Sequence, residues 1–440
     1  MVFLWQSEMH KYQSWGKNPH AKQTALYYSD RHQALPVVNG ASILPYGMGR
    51  SYGDVCLNDE NAIIPTSRLD HYMEFDQEKG VIKCEAGVCL SDLLDLVIPR
   101  GYFIPVTPGT KNVTIGGMVA NDVHGKNHHR AGSFGNFVTA FELLRSDGKR
   151  LICTPDKNPD LYRATIGGLG LTGLITWVEI SLETIESAYI NTESIRFQTI
   201  EDFFRISDDS DQSWEYTVAW IDAFSNKSGD CRGVFFRGNH MRDNDFIYKK
   251  RSMPLGVPLN MPSWLLNRYV LKLFNKLYYS VNRNKAQRVH IYDFFYPLDK
   301  VSAWNKMYGK NGFYQYQCVI PDDQAEMTIR SMLKLCNSNK QGSFLSVLKK
   351  FGDIKSPGLL SFPKKGYTLA LDFPNRGKRT LNMLDAFDDM VLDAGGSVYP
   401  AKDARMSADS FKCFFPAWQE FSQQVDRGFS SSFWRRVMAE

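Results

Sequence analysis

The chain has 440 residues, of which 43% are apolar and 22% are charged. This length fits two or three domains, and the composition excludes disordered, collagen-like and coiled-coil proteins. The 52 Lys and Arg residues exceed the 47 Asp and Glu residues by only 5, a balance that gives no support for nucleic-acid binding. The 8 cysteines form no C-x-x-C pair, which favours free thiols in a reducing compartment.

The first residues do not have the pattern of a signal peptide. Five mainly apolar residues are followed at once by the polar run 6–8, without a basic region or an apolar stretch of sufficient length. No segment of the sequence approaches the roughly 20 apolar residues of a bilayer span. We therefore expect a cytoplasmic protein, with peripheral contact at the inner face of the membrane as a further expectation.

The first part of the chain, up to about residue 187, alternates short β-branched runs with glycine-rich turns. A helix is predicted over 91–98, with Ser91 as its cap and with Pro99 and Gly101 at its end. Strands are predicted at 62–65, 80–84, 151–153 and 174–178. This pattern indicates an α+β segment.

The middle part of the chain is richer in aromatic residues. Strands are predicted at 215–220 and 314–320, and longer helices at 326–335 and 380–392. Such elements are typical of a sheet with helices on one face.

The segment 249–288 contains nine Lys and Arg residues and no acidic residue. Within it, basic residues recur every four positions at Arg268, Lys272 and Lys276, and a second helical face is apolar. That face consists of Leu266, Tyr269, Val270, Leu273, Phe274 and Leu277. Such a helix can lie on an anionic membrane surface, or it can pack its apolar stripe against the core of its domain. The pattern alone leaves both alternatives open.

Three glycine-rich clusters, at 47–54, 107–129 and 167–173, lie in the first part of the chain. Glycines allow the backbone to approach an anion, and successive N–H groups can cradle phosphate oxygens. Together the clusters predict a long, phosphate-containing cofactor in an extended groove. The sequence has no P-loop motif, and no strand-borne G-x-G-x-x-G with an acidic residue about 20 positions later, so those two nucleotide sites are not supported.

The segments 47–54, 108–117 and 124–136 resemble the FAD-binding domain of the decaprenylphosphoryl-β-D-ribose 2-oxidase family, which belongs to the vanillyl-alcohol oxidase superfamily. The resemblance covers roughly 41–405. It continues through 170–173, 219–223, 296–299, 312–317, 343–349, 372–374 and 399–405. The joint occurrence of these motifs makes the resemblance specific.

The resemblance implies a two-domain α+β fold with FAD as cofactor. Residues 1–187 would form the N-terminal portion of the FAD-binding domain, 188–396 the substrate-binding domain, and 397–440 a C-terminal portion that completes the FAD-binding domain. It also implies oxidation of the C2 hydroxyl of a polyprenyl-phosphoryl ribose to a ketone. A partner short-chain reductase would then return the epimeric arabinose for a cell-surface glycan.

The resemblance also implies roles for individual residues. The catalytic candidates are Lys402, His124 and Tyr52, and both Lys402 and His124 could take the hydroxyl proton. The expected substrate-binding residues are Trp220, Phe295, Gln315, Gln317, Lys349 and Lys402. The expected FAD-binding residues are Gly47, Met48, Gly49, Arg50, Ser51, Tyr52, Gly53, Pro108, Gly109, Thr110, Gly116, Gly117, Asn121, Val123, His124, Gly125, Gly173, Tyr399 and Ala401.

Two further expectations concern the cofactor and metals. Arg50 stands where relatives with covalently attached FAD carry a histidine, so we expect FAD without a covalent link. No metal is expected at His124, His128 and His129, since no cysteine or carboxylate stands at zinc spacing. His128 and His129 are expected to be structural or to face a phosphate.

Two other functions are compatible with the flavin motifs. One is oxidation of a soluble polyol or aldonolactone, and the other is a catalytically silent flavin-binding subunit. Lys349 and the basic segment favour a donor with a phosphate, because a free polyol offers no anion to pair. The presence of both Lys402 and His124 argues against a silent subunit.

Overall fold

A computed structural model describes residues 12–36, 38, 40–224, 230–247, 255–262, 266–343 and 345–439. The first ten strands are β1 Thr24–Ala25, β2 Ile43–Tyr46, β3 Ala62–Pro65, β4 Tyr72–Asp76, β5 Val81–Glu85, β6 Tyr102–Phe103, β7 Val138–Leu144, β8 Arg150–Cys153, β9 Leu174–Ser181 and β10 Glu183–Thr184. The next ten are β11 Tyr189–Phe197, β12 Tyr216–Ile221, β13 Gly233–His240, β14 Leu255–Gly256, β15 Lys285–His290, β16 Val301–Ser302, β17 Phe313–Ile320, β18 Ser346–Phe351, β19 Gly366–Pro374 and β20 Ser397–Val398.

The helices among these residues are mostly short. They are α1 Leu90–Val97, α2 Ile115–Ala120, α3 His128–Ala131, α4 Pro159–Thr165, α5 Ile200–Ser210, α6 Arg268–Val281, α7 Ile291–Phe295, α8 Asp322–Ser338, α9 Lys378–Asp393, α10 Ala408–Phe414, α11 Trp418–Gln424 and α12 Ser432–Val437. None of the helices in the described ranges is long and apolar enough to cross a membrane.

Helix α1 confirms the predicted helix but corrects its cap. Cys89 is the N-cap residue, with extended backbone angles, and Ser91 lies inside the first turn. The N–H groups of Leu90 and Ser91 donate to the carbonyl oxygens of Val113 and Lys111 at 2.8 and 2.9 Å. Because a neighbouring segment satisfies these amides, the helix needs no serine cap.

The first part of the chain forms a five-stranded antiparallel sheet in the order β4-β5-β9-β7-β8. Helices α1 and α2 bury their apolar residues against it, among them Leu93 and Val119, beside Ile82 and Val178 of the sheet. A smaller parallel sheet, β1-β3-β2, precedes it in the chain.

The middle part forms an eight-stranded antiparallel sheet in the order β15-β11-β13-β12-β18-β19-β17-β20. Helices α5, α8 and α9 cover one face, burying residues such as Phe203, Ile329 and Phe387. The sheets and their helices confirm the α+β class. Strand β20 pairs with β17 of this sheet although it follows the predicted boundary at 396, and the domain boundaries themselves stay predictions.

The C-terminal helices return to the first part of the chain. Arg436 of α12 makes ion pairs with Asp54 at 2.7 Å and with Asp403 at 2.9 Å, and all three side chains are mostly buried. Asp54 is the last residue of the first glycine-rich cluster, and Asp403 follows Lys402. One guanidinium therefore joins the segment of the first cluster to the segment of the catalytic candidate.

Helix α6 confirms the predicted amphipathic helix, but its orientation contradicts packing of the apolar stripe on the core. Its buried side chains are Leu271, Asn275 and Tyr279, and Asn275 Nδ2 donates to Asp222 Oδ1 at 2.8 Å. The predicted stripe is exposed on the helix itself at Tyr269, Val270, Leu273, Phe274 and Leu277. Residues 248–254 and 263–265 of the basic segment lie outside the described residues.

Candidate active site

A large cavity of about 1760 Å³ lies between the glycine-rich segments and the uncovered face of the eight-stranded sheet. Ligand cavities commonly measure roughly 300–1,000 Å³, so this one has room for a large cofactor and a second ligand together. With one exception, every residue that the sequence assigns to cofactor, substrate or catalysis lines it.

The exception is Gly53. A Cβ atom at this position would lie 1.6 Å from the carbonyl oxygen of Asp403, so the glycine permits two backbone segments to touch. Gly53 therefore permits close packing beside the cavity, and the cofactor contact expected for it stays a prediction.

The first glycine-rich cluster presents its backbone to the cavity. The amide N–H groups of Met48, Gly49, Arg50 and Ser51 have no hydrogen-bond acceptor within the described chain. Gly49 has φ of 61°, and a Cβ there would lie 2.0 Å from the Tyr46 hydroxyl oxygen. Four successive free amides form a cradle of the kind that binds phosphate oxygens.

The second glycine-rich cluster is held in place by the motif at 296–299. The Tyr296 hydroxyl lies 2.6 Å from Thr107 Oγ1, and Asp299 accepts from Thr110 Oγ1 at 2.7 Å and from the Lys111 amide at 2.9 Å. The loop of Pro108 and Gly109 is thereby fixed at the cavity wall. The other expected cofactor residues along this wall are Gly116, Gly117, Asn121, Val123, Gly125 and Gly173.

Strand alternation explains the polar face of the eight-stranded sheet. Successive side chains of a strand point to opposite faces. In β17, Tyr316 and Cys318 enter the core under α8 and α9, whereas Gln315 and Gln317 line the cavity. The same alternation places Trp220 of β12 and Lys349 of β18 in the cavity, beside Phe295 at the end of α7.

The pairing of β17 with β19 places a carboxylate on the cavity-facing side of the eight-stranded sheet. Gln315 of β17 stands opposite Asp372 of β19, and Gln315 Nε2 donates to Asp372 Oδ1 at 2.5 Å. Asp372 is fully buried, and burial raises its pKa to about 7. The Tyr308 hydroxyl lies 3.4 Å from the other carboxylate oxygen.

Lys402 lies between Tyr52 and this carboxylate. Its Nζ is 3.8 Å from the centre of the Tyr52 ring. Burial lowers the pKa of Lys402 to about 7, with Lys349 acting in the same direction and Asp372 opposing it. Burial raises the pKa of Tyr52 well above its usual value, so the phenol stays neutral. Lys402 is thus a buried amine that can exist unprotonated near neutral pH.

His124 is held by a hydrogen-bond partner and by aromatic rings. Its Nε2 lies 2.9 Å from Gln317 Nε2, and its ring packs against Phe351 and Tyr399 at centroid distances of 5.0 and 5.2 Å. Burial lowers the pKa of His124 well below its usual value, aided by the charge of Lys349. The imidazole is therefore neutral.

His128 and His129 were expected either to be structural or to face a phosphate, and their contacts are structural. His128 packs on Phe351 at a centroid distance of 4.4 Å, and burial lowers its pKa to about 3. His129 Nε2 lies 3.0 Å from the Trp214 carbonyl oxygen. Neither residue lines the cavity.

Two buried cations accompany Lys402 in the cavity. Lys349 Nζ donates to the Gly125 carbonyl at 3.3 Å, and burial lowers its pKa to about 8. Lys126 Nζ donates to the Phe294 carbonyl at 2.5 Å, and burial lowers its pKa to about 7. Neither amine has a carboxylate partner among the described residues, so the cavity can accommodate an anion.

Asp372 and Lys126 were not assigned a role from the sequence. Both lie in the motifs that carry the family resemblance, at 372–374 and 124–129. Asp372 becomes recognisable only when its strand register with Gln315 is known. Lys126 is two positions from His124, and this proximity was the signal that could have identified it.

Comparisons with known proteins agree with the geometry of the cavity. Residues 34–154 match the model of an FAD binding domain. The chain is 33% identical to the decaprenylphosphoryl-beta-D-ribose oxidase of Mycolicibacterium smegmatis, over 96% of each chain. It is 26% identical to the mouse L-gulonolactone oxidase over 39% of this chain and 40% of that one. It is 30% identical to the human delta(24)-sterol reductase over 25% of this chain and 21% of that one.

The residues of the cavity fit FAD. The four free amides at 48–51 suit the pyrophosphate, and the buried Asn121 Oδ1 has no hydrogen-bond partner of its own in the described chain. Tyr399 fixes this wall, since its hydroxyl donates to the Asn121 carbonyl at 2.8 Å, while the Ala401 carbonyl accepts from the Tyr52 amide at 2.8 Å. The chain is an FAD-dependent oxidoreductase, and it belongs to the decaprenylphosphoryl-β-D-ribose oxidase family.

Proposed function

We propose that the protein oxidises the C2 hydroxyl of a polyprenyl-phosphoryl-β-D-ribose-like sugar to the 2-keto sugar. The observation that carries this proposal is the convergence of Lys126, Lys349 and Lys402, all buried, on one cavity beside two glutamines. A donor phosphate would stabilise the protonated amines of Lys126 and Lys349, and glutamine side chains would hydrogen-bond the sugar hydroxyls. The name of the Mycolicibacterium smegmatis relative supports the same donor.

The reaction removes a hydride from C2 and a proton from its hydroxyl, and the C–O bond becomes a carbonyl. FAD, when bound, supplies the two-electron acceptor for the hydride. The protein must take the proton and hold the carbinol in place. Gln315 is oriented by Asp372, and Gln317 by Thr368 Oγ1 at 3.1 Å, so both amides are fixed before the donor binds.

Lys402 is the better of the two candidates for the base. With a pKa of about 7 it is substantially unprotonated at neutral pH and still basic enough to hold a proton. The pKa of His124 is too far below neutrality for this task, and its Nε2 already faces Gln317. We assign His124 to orienting Gln317, and Tyr52 to forming the neutral wall beside the amine.

FAD is held without a covalent link in this proposal. Arg50, at the position of the linking histidine in other flavoproteins, donates from Nε to the Asn112 carbonyl at 3.0 Å. Its guanidinium lies 4.1 Å from the centre of the Trp15 ring. The side chain is occupied and has no nucleophilic atom.

The keto product requires a second enzyme if it is to become the epimeric arabinose. We propose a partner short-chain reductase, which would deliver a hydride to C2 from the opposite face. The pair would complete a 2-epimerisation for a cell-surface glycan, and the proposed location of this half is the cytoplasmic side of the membrane.

The test is anaerobic reduction of the flavin in the purified holoprotein. A short-chain prenyl-phosphoryl ribose should bleach the flavin absorption and yield the 2-keto sugar, detected by mass spectrometry. The 2-deoxy analogue should bind without bleaching, and a prenyl riboside without phosphate should bleach only at much higher concentration. Bleaching by an aldonolactone or polyol alone would favour the soluble-donor alternative, and no bleaching by any donor would favour the silent subunit.

A further inference from the structure

The outer face of α6 exposes large apolar side chains in an uninterrupted row. Leu273 is 59% exposed, Leu277 is 56% exposed and Val281 is 78% exposed, with Tyr269 and Phe274 beside them. No other helix of the described ranges exposes more than one large apolar residue. Contiguous apolar surface of this kind marks a contact site.

Helices α8 and α9 show what an ordinary amphipathic helix does in this protein. Their apolar residues, such as Met332 and Phe387, are buried against the large sheet, and Met327 is the one large apolar side chain that α8 exposes. Helix α6 instead buries the polar Asn275, which donates to Asp222. The helix is thus attached through Leu271, Asn275 and Tyr279, while the larger part of its apolar surface points outward.

The charged side chains that α6 itself carries have one sign. Arg268, Lys272 and Lys276 are exposed on α6, Lys285 follows on β15, and the segment 249–288 has no acidic residue. An anionic surface is complementary to this arrangement, because cations can reach lipid headgroups while the apolar side chains enter the acyl boundary.

The face is continuous with the active-site cavity. Phe274 and Tyr278 line the cavity. The centre of the Tyr278 ring lies 4.6 Å from the centre of the Trp220 ring, and Trp220 is predicted to bind the substrate. The Phe274 and Tyr278 rings stack at 6.0 Å. One flank of the helix is therefore a wall of the cavity, and the adjoining flank is the exposed apolar row.

We propose that α6 is the membrane-docking element of this protein, and that it lies in the headgroup and acyl boundary of an anionic bilayer. Docking rests on the exposed face and its charge alone. A second step rests on the proposed function: the lipid chain of the donor passes from the bilayer into the cavity beside Phe274 and Tyr278 without crossing water.

The first experiment is co-sedimentation of the holoprotein with vesicles. We expect binding to phosphatidylglycerol–phosphatidylcholine vesicles, with a fall of about tenfold or more in partitioning for Leu273→Gln/Leu277→Gln. Met327→Gln on α8 is the matched control, since it removes one exposed apolar side chain from another helix. Equal binding by the double variant would overturn the proposal.

A charge variant and an oligomer measurement complete the test. Lys272→Gln/Lys276→Gln should lose the preference for phosphatidylglycerol over pure phosphatidylcholine vesicles. If the apolar row is instead an interface between copies of this chain, sedimentation equilibrium will show a dimer that Leu273→Gln/Leu277→Gln dissociates, without vesicle binding; that result would overturn docking.

Activity separates docking from the proposed reaction. Flavin bleaching by the soluble short-chain donor should be unchanged in both double variants, because none of the four residues lines the cavity. Turnover of a long-chain donor embedded in vesicles should fall about tenfold or more. An absence of bleaching in the unaltered protein would refute the proposed function and leave the vesicle result standing.

Discussion

The two ends of the cavity are built in different ways. At the glycine-rich end, residues 48–51 line the cavity and their backbone amides have no acceptor within the described chain. At the sheet end, Gln315, Gln317 and Lys349 come from strands whose alternate residues form the hydrophobic core. Substitutions at the glycine-rich end should therefore be tolerated when they keep the backbone conformation. Substitutions at the sheet end should be tolerated when they keep the chemistry of the side chain.

Lys402→Met should have the largest effect on activity. Loss of the proposed base should lower the rate of flavin reduction by about 10²–10⁴-fold while FAD remains bound. Stopped-flow absorbance of the reconstituted variant measures this rate. Flavin reduction at an unaltered rate would exclude Lys402 as the base.

Leu348→Ala examines the buried side of the same sheet. Leu348 is fully buried among the core residues beneath α8 and α9, so its truncation should lower the free energy of unfolding by about 2–5 kcal/mol. The KM for the donor should stay the same, because the side chain points away from the cavity. Chemical denaturation and steady-state kinetics on one preparation give both numbers.

Lys349→Met examines the cavity side of the same strand. Removing a cation from the proposed phosphate site should lower kcat/KM by about ten- to a hundredfold, mainly through KM. Lys350→Met is the matched control, since Lys350 points to the other face and pairs with Asp208 at 3.0 Å. A donor without phosphate should not distinguish Lys349→Met from the unaltered protein, and a loss there would contradict the assignment.

Gly49→Ala and Gly109→Ala compare two glycines of the cradle end. Gly49 has φ of 61° and no room for a Cβ, whereas a Cβ at Gly109 would meet no atom within 4 Å. A left-handed alanine costs roughly 1–2 kcal/mol, so FAD affinity should fall about tenfold at the first position and little at the second. Fluorescence titration of the apoprotein with FAD measures both; equal affinities would mean that the cradle adapts to the side chain.

The pH profile should show the smallest effect. The amine of Lys402 is protonated below its pKa of about 7 and cannot take a proton, so kcat/KM should rise with pH through that value and then level off. Asp372→Asn removes the charge that holds the Lys402 pKa up, and the midpoint should move to lower pH. A midpoint unmoved by this substitution would assign the titration to another group.

The sequence was sufficient for the class of fold, the cofactor and most of the cavity wall. Regular strands such as β17 could be predicted from their β-branched and aromatic residues, and motif similarity identified Gln315 and Gln317. Asp372 was missed because its role depends on pairing with a distant strand. Gly49 and Gly53 belong to the same motif, so the sequence predicted the same role for both. In the structure Gly49 lines the cavity, whereas Gly53 packs against the backbone carbonyl of Asp403.

The periodicity of the sequence predicted that α6 is amphipathic, but it did not indicate which side of the helix packs against the rest of the protein. That choice depends on Asp222, which lies 53 positions earlier and accepts from Asn275. The cap of α1 depends on Lys111 and Val113 in the same way. In each case a contact between distant parts of the chain overrides the local pattern.

The ion pairs of Arg436 have a consequence for the order in which the protein is made. Arg436 and Asp54 are 382 positions apart, and the second partner, Asp403, adjoins Lys402. A ribosome releases the first glycine-rich cluster long before it releases this arginine. Neither ion pair can therefore form during synthesis of the first domain, and both must wait until the last residues of the chain have left the ribosome.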